Sequence, residues 1–215
     1  MQNLQHFDID RDVFHVNYRL AGSIPREVVR KVAQDRQSAI EALDREVAAL
    51  RSDMASEVYG LERYRIEARF ELALDGYLDK SPNGPYHLRD GRLSEVVIKS
   101  WCHLHEKGAV YVYAVCVMSN HVHVLLGPAA NEGVIRTSSV MRSHKSFTAR
   151  RCNALLGRTG QAFWSDSYFD RTVRRGKFLK VMWYVLNNPV KAGLCPTWAA
   201  WPGTWVNPEF VDLFQ

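Results

Sequence analysis

The sequence predicts an α+β fold of the ferredoxin-like kind, with an antiparallel sheet, helices packed mainly on one face, and a long helical insert. Two observations carry this prediction. Outside residues 26–80 the local patterns follow the order strand, helix, strand, strand, helix, strand. Inside that stretch, apolar residues recur at helical intervals instead. With 215 residues and 47% hydrophobic side chains, the chain can build one sizeable domain, predicted over 1–215, with the insert at about 26–80 and a tail at about 195–215.

The elements follow from the periodicity in chain order. Residues 12–20 alternate as a strand, and apolar positions between 40 and 61 predict a long amphipathic helix, followed by a second helix over 61–77. The apolar side of the insert would pack within the chain or form a dimer contact. After a turn at 81–85, we predict a helix over 92–106 and a strand over 109–118.

The second half continues the same alternation. The turn Ser119-Asn120 joins the strand over 109–118 to the next strand as a hairpin, and residues 132–156 are predicted to be helical. A strand over 168–174 precedes a last helix, which ends near Pro189 and Gly193.

Composition excludes several classes of protein. No run approaches the roughly 18 apolar residues of a membrane span, and the first residues lack a signal-peptide pattern, so we expect a cytoplasmic, nucleoid-associated protein with no membrane partner. The four cysteines are widely scattered and form no C-x-x-C pair. We therefore expect reduced thiols rather than a disulfide framework or a zinc site.

The positive charge is concentrated in one stretch. Residues 136–180 carry eleven basic and two acidic side chains, a balance of +9, although the whole chain carries +5. Aromatic residues are interleaved with these cations, a combination that suits single-stranded nucleic acid because phosphates pair with cations and bases stack on rings. The alternative is a solvated helix face beside core aromatics.

Two short motifs carry candidate chemistry. In a strand His121 and His123 project to the same face, and two neutral imidazoles make half of a metal site, although they could also be an ordinary strand face. In a helix Tyr184 and Asn188 share one side. Alone, they could equally be a core aromatic and a helix cap.

Together, these motifs resemble the HUH single-tyrosine (Y1) transposases, the IS200-like superfamily, and in particular its REP-associated group. That group combines a His-hydrophobic-His strand with a helix of the form Tyr-x-x-x-Asn-Pro-x-x-x-Gly, matched here from Tyr184 to Gly193. The resemblance runs from the strand near 12–18 through 85–118 to Trp201-Pro202 and leaves out only the insert. Ser119 departs from the pattern, since family members commonly carry Pro there.

The resemblance implies an RRM-like HUH fold and a metal-dependent endonuclease and strand transferase. Tyr184 would be the nucleophile that forms a 5′-phosphotyrosine link, while His121, His123 and Asn188 would hold Mg²⁺ or Mn²⁺. The substrate would be single-stranded DNA carrying imperfect REP- or BIME-like hairpins, bound by a monomer or a homodimer. Two alternatives remain: a domesticated hairpin-binding protein without transposition activity, and a metal-dependent hydrolase.

The predicted DNA contacts come from the basic and aromatic stretch. Lys145 lies in a segment that the resemblance places on phosphate near the metal, with a surface lysine as the alternative. For Trp164, core packing is the first expectation and base stacking the second, and His144 is expected on the surface. The predicted DNA-binding residues are Arg142, Lys145, Arg150, Arg151, Trp164, Arg171, Arg174, Arg175 and Lys177.

Overall fold

The computed structural model describes residues 13–48, 52–80, 84–129 and 137–214. The chain divides into two compact units, one formed by residues 1–21 together with 85–215 and the other by residues 22–84. The second unit contains residues 26–80, the stretch predicted as an insert, and the assignment of one domain over 1–215 stays a prediction. The segments 81–83 and 130–136, where a turn and the first residues of a helix were predicted, lie outside the described residues.

The smaller unit consists of two helices, α1 (Arg26–Ala48) and α2 (Ser52–Lys80), which pack against each other. The Arg36 guanidinium joins them through a 2.5 Å ion pair with Glu67. The prediction of one helix over 40–61 and another from residue 61 was wrong about the boundary, because α2 runs without interruption through residue 61. Gly60 lies inside α2, where a single glycine costs only about 1 kcal/mol relative to alanine.

The larger unit is built on a five-stranded antiparallel sheet. Its strands are β1 (Phe14–Leu20), β2 (Tyr111–Val117), β3 (His121–Gly127), β4 (Trp164–Thr172) and β5 (Thr204–Val206), arranged in the order β4-β1-β3-β2-β5. The first four strands have the ferredoxin-like arrangement, which confirms the predicted fold class. β4 begins four residues before its predicted start, and β5 lies in what was expected to be a tail.

Helices cover both faces of this sheet. On one face, α3 (Gly91–Glu106) and α4 (Thr137–Leu155) pack over Val16, Val122 and Val124. On the opposite face, α5 (Phe178–Lys191) packs over Leu125 with Met182 and Val185. Because alternate strand residues point to opposite faces, His121 and His123 lie on the α5 side, with Leu125.

The turn between β2 and β3 is short and buried. The Met118 N–H donates to the His121 carbonyl at 2.9 Å, which makes Ser119 and Asn120 the two central residues of the turn. Both turn carbonyls are also bonded, that of Ser119 to the Leu88 N–H at 3.2 Å and that of Asn120 to the Leu20 N–H at 2.9 Å. These bonds fix the register in which β3 presents its two imidazoles.

The α5 helix ends near Pro189 and Gly193, as predicted. It continues through Pro189 to Lys191, and Gly193 follows with φ +68, the left-handed conformation that commonly ends a helix. Proline has no N–H to continue the hydrogen-bond ladder, so an end near Pro189 was a reasonable expectation. The helix still gains from burying its apolar side, which includes Pro189 itself.

Residues 198–214 complete the sheet edge instead of trailing as a tail. β5 pairs with β2, the Val117 N–H donates to the Gly203 carbonyl at 2.8 Å, and the Trp201 indole N–H donates to the Val117 carbonyl at 2.9 Å. A Cβ atom at Gly203 would collide with that same carbonyl oxygen, so this close approach requires glycine. In the described parts of the chain, no helix is both long and apolar enough to cross a membrane.

Candidate metal and tyrosine site

Two neighbouring strands place three histidines together. His121 and His123 project from β3, and β1 runs beside it with Asn17 opposite His123 and Arg19 opposite His121. His15, two residues before Asn17, joins the same face of the sheet. All three imidazoles are buried, with no more than 1% of any of these residues exposed.

The three rings form a continuous hydrogen-bonded chain. The Asn120 side-chain oxygen lies 2.8 Å from His121 Nδ1, His121 Nε2 lies 3.0 Å from His123 Nε2, and His123 Nδ1 lies 3.1 Å from His15 Nε2. An amide oxygen only accepts, so with neutral rings His121 donates from Nδ1. His123 then donates from Nε2 and accepts from His15 at Nδ1.

This arrangement fits a divalent cation. Two cis ligands of an octahedral ion, each about 2.1 Å from it, are separated by about 3 Å, close to the separation of the two facing Nε2 atoms. A divalent ion can bind the lone pairs of two such imidazole nitrogens when both rings carry their protons on Nδ1. Imidazole nitrogen is a more suitable ligand for Mn²⁺ than for the harder Mg²⁺.

The α5 helix brings Tyr184 to the same place. Its ring meets His123 and His15 edge-on, with centroids 5.8 Å apart in both cases. The Lys191 ammonium lies over the Tyr184 ring, 4.6 Å from the ring centroid. The structure thus joins the two motifs that lie sixty residues apart in the sequence.

Asn188 is buried one turn beyond Tyr184. Its side-chain nitrogen donates to the Tyr184 carbonyl at 2.9 Å, which leaves the side-chain oxygen as the atom with ligand chemistry. Its place as the third metal ligand stays a prediction.

Cys116 is the cysteine nearest to this group, because it pairs with His123 across the β2–β3 ladder. Burial raises the pKa of its thiol to about 12, which disfavours the thiolate form. All four cysteines are free thiols, as the sequence suggested.

Sequence analysis missed two residues of this site, His15 and Arg19. Arg19 is directly opposite His121, and burial lowers the pKa of its guanidinium. The signal was present in the alternation His15-x-Asn17-x-Arg19, which places three polar side chains on one face of a strand. This alternation could be assigned to the site only once β1 was known to pair with β3.

The predicted DNA-binding residues fall into two groups on different elements. Arg142, Arg150 and Arg151 are exposed on α4, which packs on the sheet face opposite to the imidazoles. The second group lies next to α5. There the Lys177 N–H donates to the Arg174 carbonyl at 2.9 Å and closes a tight turn. This turn exposes Arg174, Arg175 and Lys177, and we call these three residues the cation turn. Arg171 pairs with His15 across β1 and β4.

Lys145 and Trp164 occupy structural positions. The Lys145 ammonium donates to the Ser165 carbonyl at 2.5 Å and to the Asp166 carbonyl at 3.0 Å, and burial lowers its pKa. Trp164 is 6% exposed, and its indole N–H donates to the Thr148 hydroxyl at 2.9 Å. Core packing, the first expectation for Trp164, describes its position in the structure.

The prediction that His144 lies on the surface was wrong. His144 is fully buried between α3 and the sheet, where its Nε2 lies 2.6 Å from the Tyr18 hydroxyl and its Nδ1 lies 2.9 Å from the Ser100 hydroxyl. Burial lowers its pKa to about 3, so the ring is neutral.

Comparison with known proteins identifies the class of this chain. Residues 86–188 match the family model described as "Transposase IS200 like". The match contains His121, His123, Tyr184 and Asn188, and it excludes His15. No curated protein matches the sequence.

Two solved structures are similar over most of the chain. One is a REP-associated tyrosine transposase bound to a REP hairpin, with 12% identity, a TM-score of 0.42, and coverage of 95% of this chain and 82% of that one. The other is a candidate transposase from Deinococcus radiodurans R1, with 13% identity, a TM-score of 0.36, and coverage of 87% and 98%.

Residues 86–188, just under half of the chain, therefore match the IS200-like transposases, as the paired motifs of the sequence predicted.

Proposed function

We propose that this protein is a single-tyrosine nuclease and strand transferase that cuts single-stranded DNA beside REP-type hairpins through a 5′-phosphotyrosine intermediate. The observation that carries the proposal is the contact of Tyr184 with His15 and His123, because it sets a phenol beside buried imidazoles suited to a cation. A tyrosine in such a position is a candidate nucleophile for phosphodiester chemistry.

The reaction follows from the chemistry of the phenol. The Tyr184 oxygen attacks phosphorus, a bond from phosphorus to tyrosine forms, and the bond to the 3′ oxygen breaks. The phenol loses its proton in this step, and the departing 3′ oxygen gains a proton and leaves as a 3′-hydroxyl. The phosphodiester energy is retained in the phosphotyrosine link, and a 3′-hydroxyl of another strand can reverse the step without ATP.

His121, His123 and Asn188 would hold the divalent ion. When bound, such an ion supplies Lewis-acid polarisation of the phosphate, which helps because a phenol is a weak nucleophile at neutral pH. The burial of both imidazoles restricts water around the site, which strengthens electrostatic interactions there.

The cation turn suits the DNA strand that leads to Tyr184. Its three exposed cations immediately precede α5, the helix that carries the tyrosine. Phosphate contacts of this kind position a strand without specifying its sequence, so we assign hairpin recognition to other contacts. A protein that acts on host DNA would work in the cytoplasm, at the nucleoid.

The test is a covalent trapping assay on single-stranded DNA that carries the host's own palindromic repeats, with Mn²⁺ present. Wild-type protein should give a DNA adduct stable to denaturation, and mass spectrometry should place the nucleotide on Tyr184. Tyr184→Phe keeps the ring and its packing but removes the nucleophile, so adduct and cleavage should both disappear while hairpin binding persists.

Tyr168→Phe is the matched control. Tyr168 packs against the core on the α3 and α4 side of the sheet, away from the imidazoles, so its removal should leave the adduct intact. Hairpin binding without any adduct from wild-type protein would instead identify a domesticated binding protein. Efficient cutting with no adduct on any tyrosine would identify a metal-dependent hydrolase.

A further inference from the structure

We infer that His15 is a positioning residue, which fixes the tautomer and the orientation of His123 for metal binding and holds Tyr184 against it. The inference rests on the proposed function, since it assumes that His121 and His123 receive a cation. It adds a residue from β1, outside the segment that matches the family model.

Position and burial support this role. His15 is fully buried, its Nε2 lies 3.1 Å from His123 Nδ1, and the two rings stack with centroids 5.2 Å apart and planes inclined by 11°. His123 therefore faces His15 with its Nδ1 atom and faces His121 with its Nε2 atom. His15 contacts the back of the candidate ligand.

The hydrogen-bond chemistry requires such a partner. A metal ion takes the lone pair of His123 Nε2, so the ring proton must then reside on Nδ1. From Nδ1 it is donated to His15 Nε2, which must offer a lone pair. Ligand histidines almost always donate their second N–H to a partner of this kind, and losing that partner typically weakens metal affinity 10–100-fold.

The same ring also contacts the proposed nucleophile. Tyr184 meets His15 edge-on at 5.8 Å, the same separation that it keeps from His123. One side chain of β1 thus touches both the metal-binding strand and the tyrosine-bearing helix. Displacing His15 would change the position of the Tyr184 phenol relative to the cation, even if both remained present.

The experiment measures Mn²⁺ affinity of the full-length chain from the electron paramagnetic resonance signal of free Mn²⁺. The amide oxygen or nitrogen of glutamine reaches about as far as His Nε2, whereas asparagine is one methylene shorter. We expect His15→Asn and His15→Phe to weaken Mn²⁺ binding about 10–100-fold and His15→Gln to recover most of the affinity.

Controls separate this role from general damage. His103→Gln alters an exposed histidine of α3 and should leave Mn²⁺ affinity unchanged, and thermal melting without metal establishes that each variant is folded. If His15→Phe fails to fold, the comparison of His15→Gln with His15→Asn decides the question alone, because both side chains are small polar amides.

The outcomes are distinct from those of the proposed function. Wild-type protein that binds no Mn²⁺ would refute the metal site itself. If wild-type protein binds one ion, equal affinity in the Gln and Asn variants would overturn the positioning role. Complete loss in both variants, equal to that of His123→Ala, would also overturn it, because His15 would then be a ligand.

Discussion

The two faces of the same sheet each bury histidine, and they do so in opposite ways. On the α3 and α4 face, His144 has two hydroxyl partners, Tyr18 and Ser100, and stacks on Trp101 with centroids 4.2 Å apart. On the α5 face, His121, His123 and His15 are hydrogen-bonded to one another in a chain. Tyr18 and Asn17, adjacent in β1, belong to opposite faces.

The difference lies in the chemistry of the partners rather than in burial. A hydroxyl can donate or accept, so Tyr18 and Ser100 satisfy a neutral His144 at both nitrogens and complete the network. In the imidazole chain, His121 keeps its proton on Nδ1, whereas His123 and His15 can exchange tautomers, so that both facing Nε2 atoms offer lone pairs to a cation. Burial alone therefore does not distinguish a core histidine from a candidate ligand.

The largest expected effect comes from removing the ligand pair. The double variant His121→Ala, His123→Ala should lose Mn²⁺ binding and reduce DNA cleavage roughly a thousandfold or more, because Lewis-acid catalysis supplies several kcal/mol. Hairpin affinity, measured in parallel by gel shift, should stay close to that of wild type. If this variant cleaved DNA as well as wild type does, the histidines of the α5 face would have no role in cleavage.

A substitution on the α3 and α4 face should have the opposite effect, because it should lower stability and leave Mn²⁺ binding unchanged. His144→Leu leaves the Tyr18 and Ser100 hydroxyls without their buried partner, and we expect it to lower the free energy of unfolding by about 2–4 kcal/mol. Urea denaturation measures this loss. Mn²⁺ affinity of the folded fraction should not change, and a large change would mean that the two faces are coupled.

The same variant isolates a pH effect. Because burial lowers the His144 pKa to about 3 from an ordinary value near 6.5, the unfolded chain binds the extra proton first. The contribution of neutral His144 to stability is therefore complete above pH 6.5 and declines as the pH falls towards 3, by at most about 1.4 kcal/mol per pH unit. The stability advantage of wild type over His144→Leu should shrink across this window in urea titrations.

The smallest effect should come from surface charge. Reversing Arg174 and Arg175 together should weaken binding of all single-stranded DNAs similarly and lower the salt dependence by about one phosphate contact per residue. The matched variant reverses Arg150 and Arg151, an exposed adjacent pair on α4. A larger loss from the α4 pair, in fluorescence titrations at several salt concentrations, would place the DNA path on the other face.

Local periodicity predicted much of this molecule. Alternation placed His121 and His123 on one face, helical spacing related Tyr184 to Asn188, and the element order gave the fold class. The features that it missed depend on tertiary pairing. β5 is only three residues long and exists because it covers the β2 edge, and His15 joins the site through a cross-strand register.

Burial of polar side chains was the other feature that could not be predicted from the sequence. The sequence around His144 is rich in basic and hydroxyl residues, so its pattern indicates a solvated helix. Its burial depends on Tyr18 and Ser100, which come from two other elements. The helix boundary predicted at residue 61 was wrong because Gly60 suggests a break in the pattern but lies inside α2.

The two-residue turn at Ser119-Asn120 has a consequence for how this gene can vary. Strand faces alternate with every residue, so inserting or deleting one residue there would exchange the His121 and His123 side for the Val122 and Val124 side. A substitution at the turn leaves the alternation of the strand unchanged, because it changes no residue's face. A change of length is not, so insertions and deletions should be absent from this turn in any active descendant.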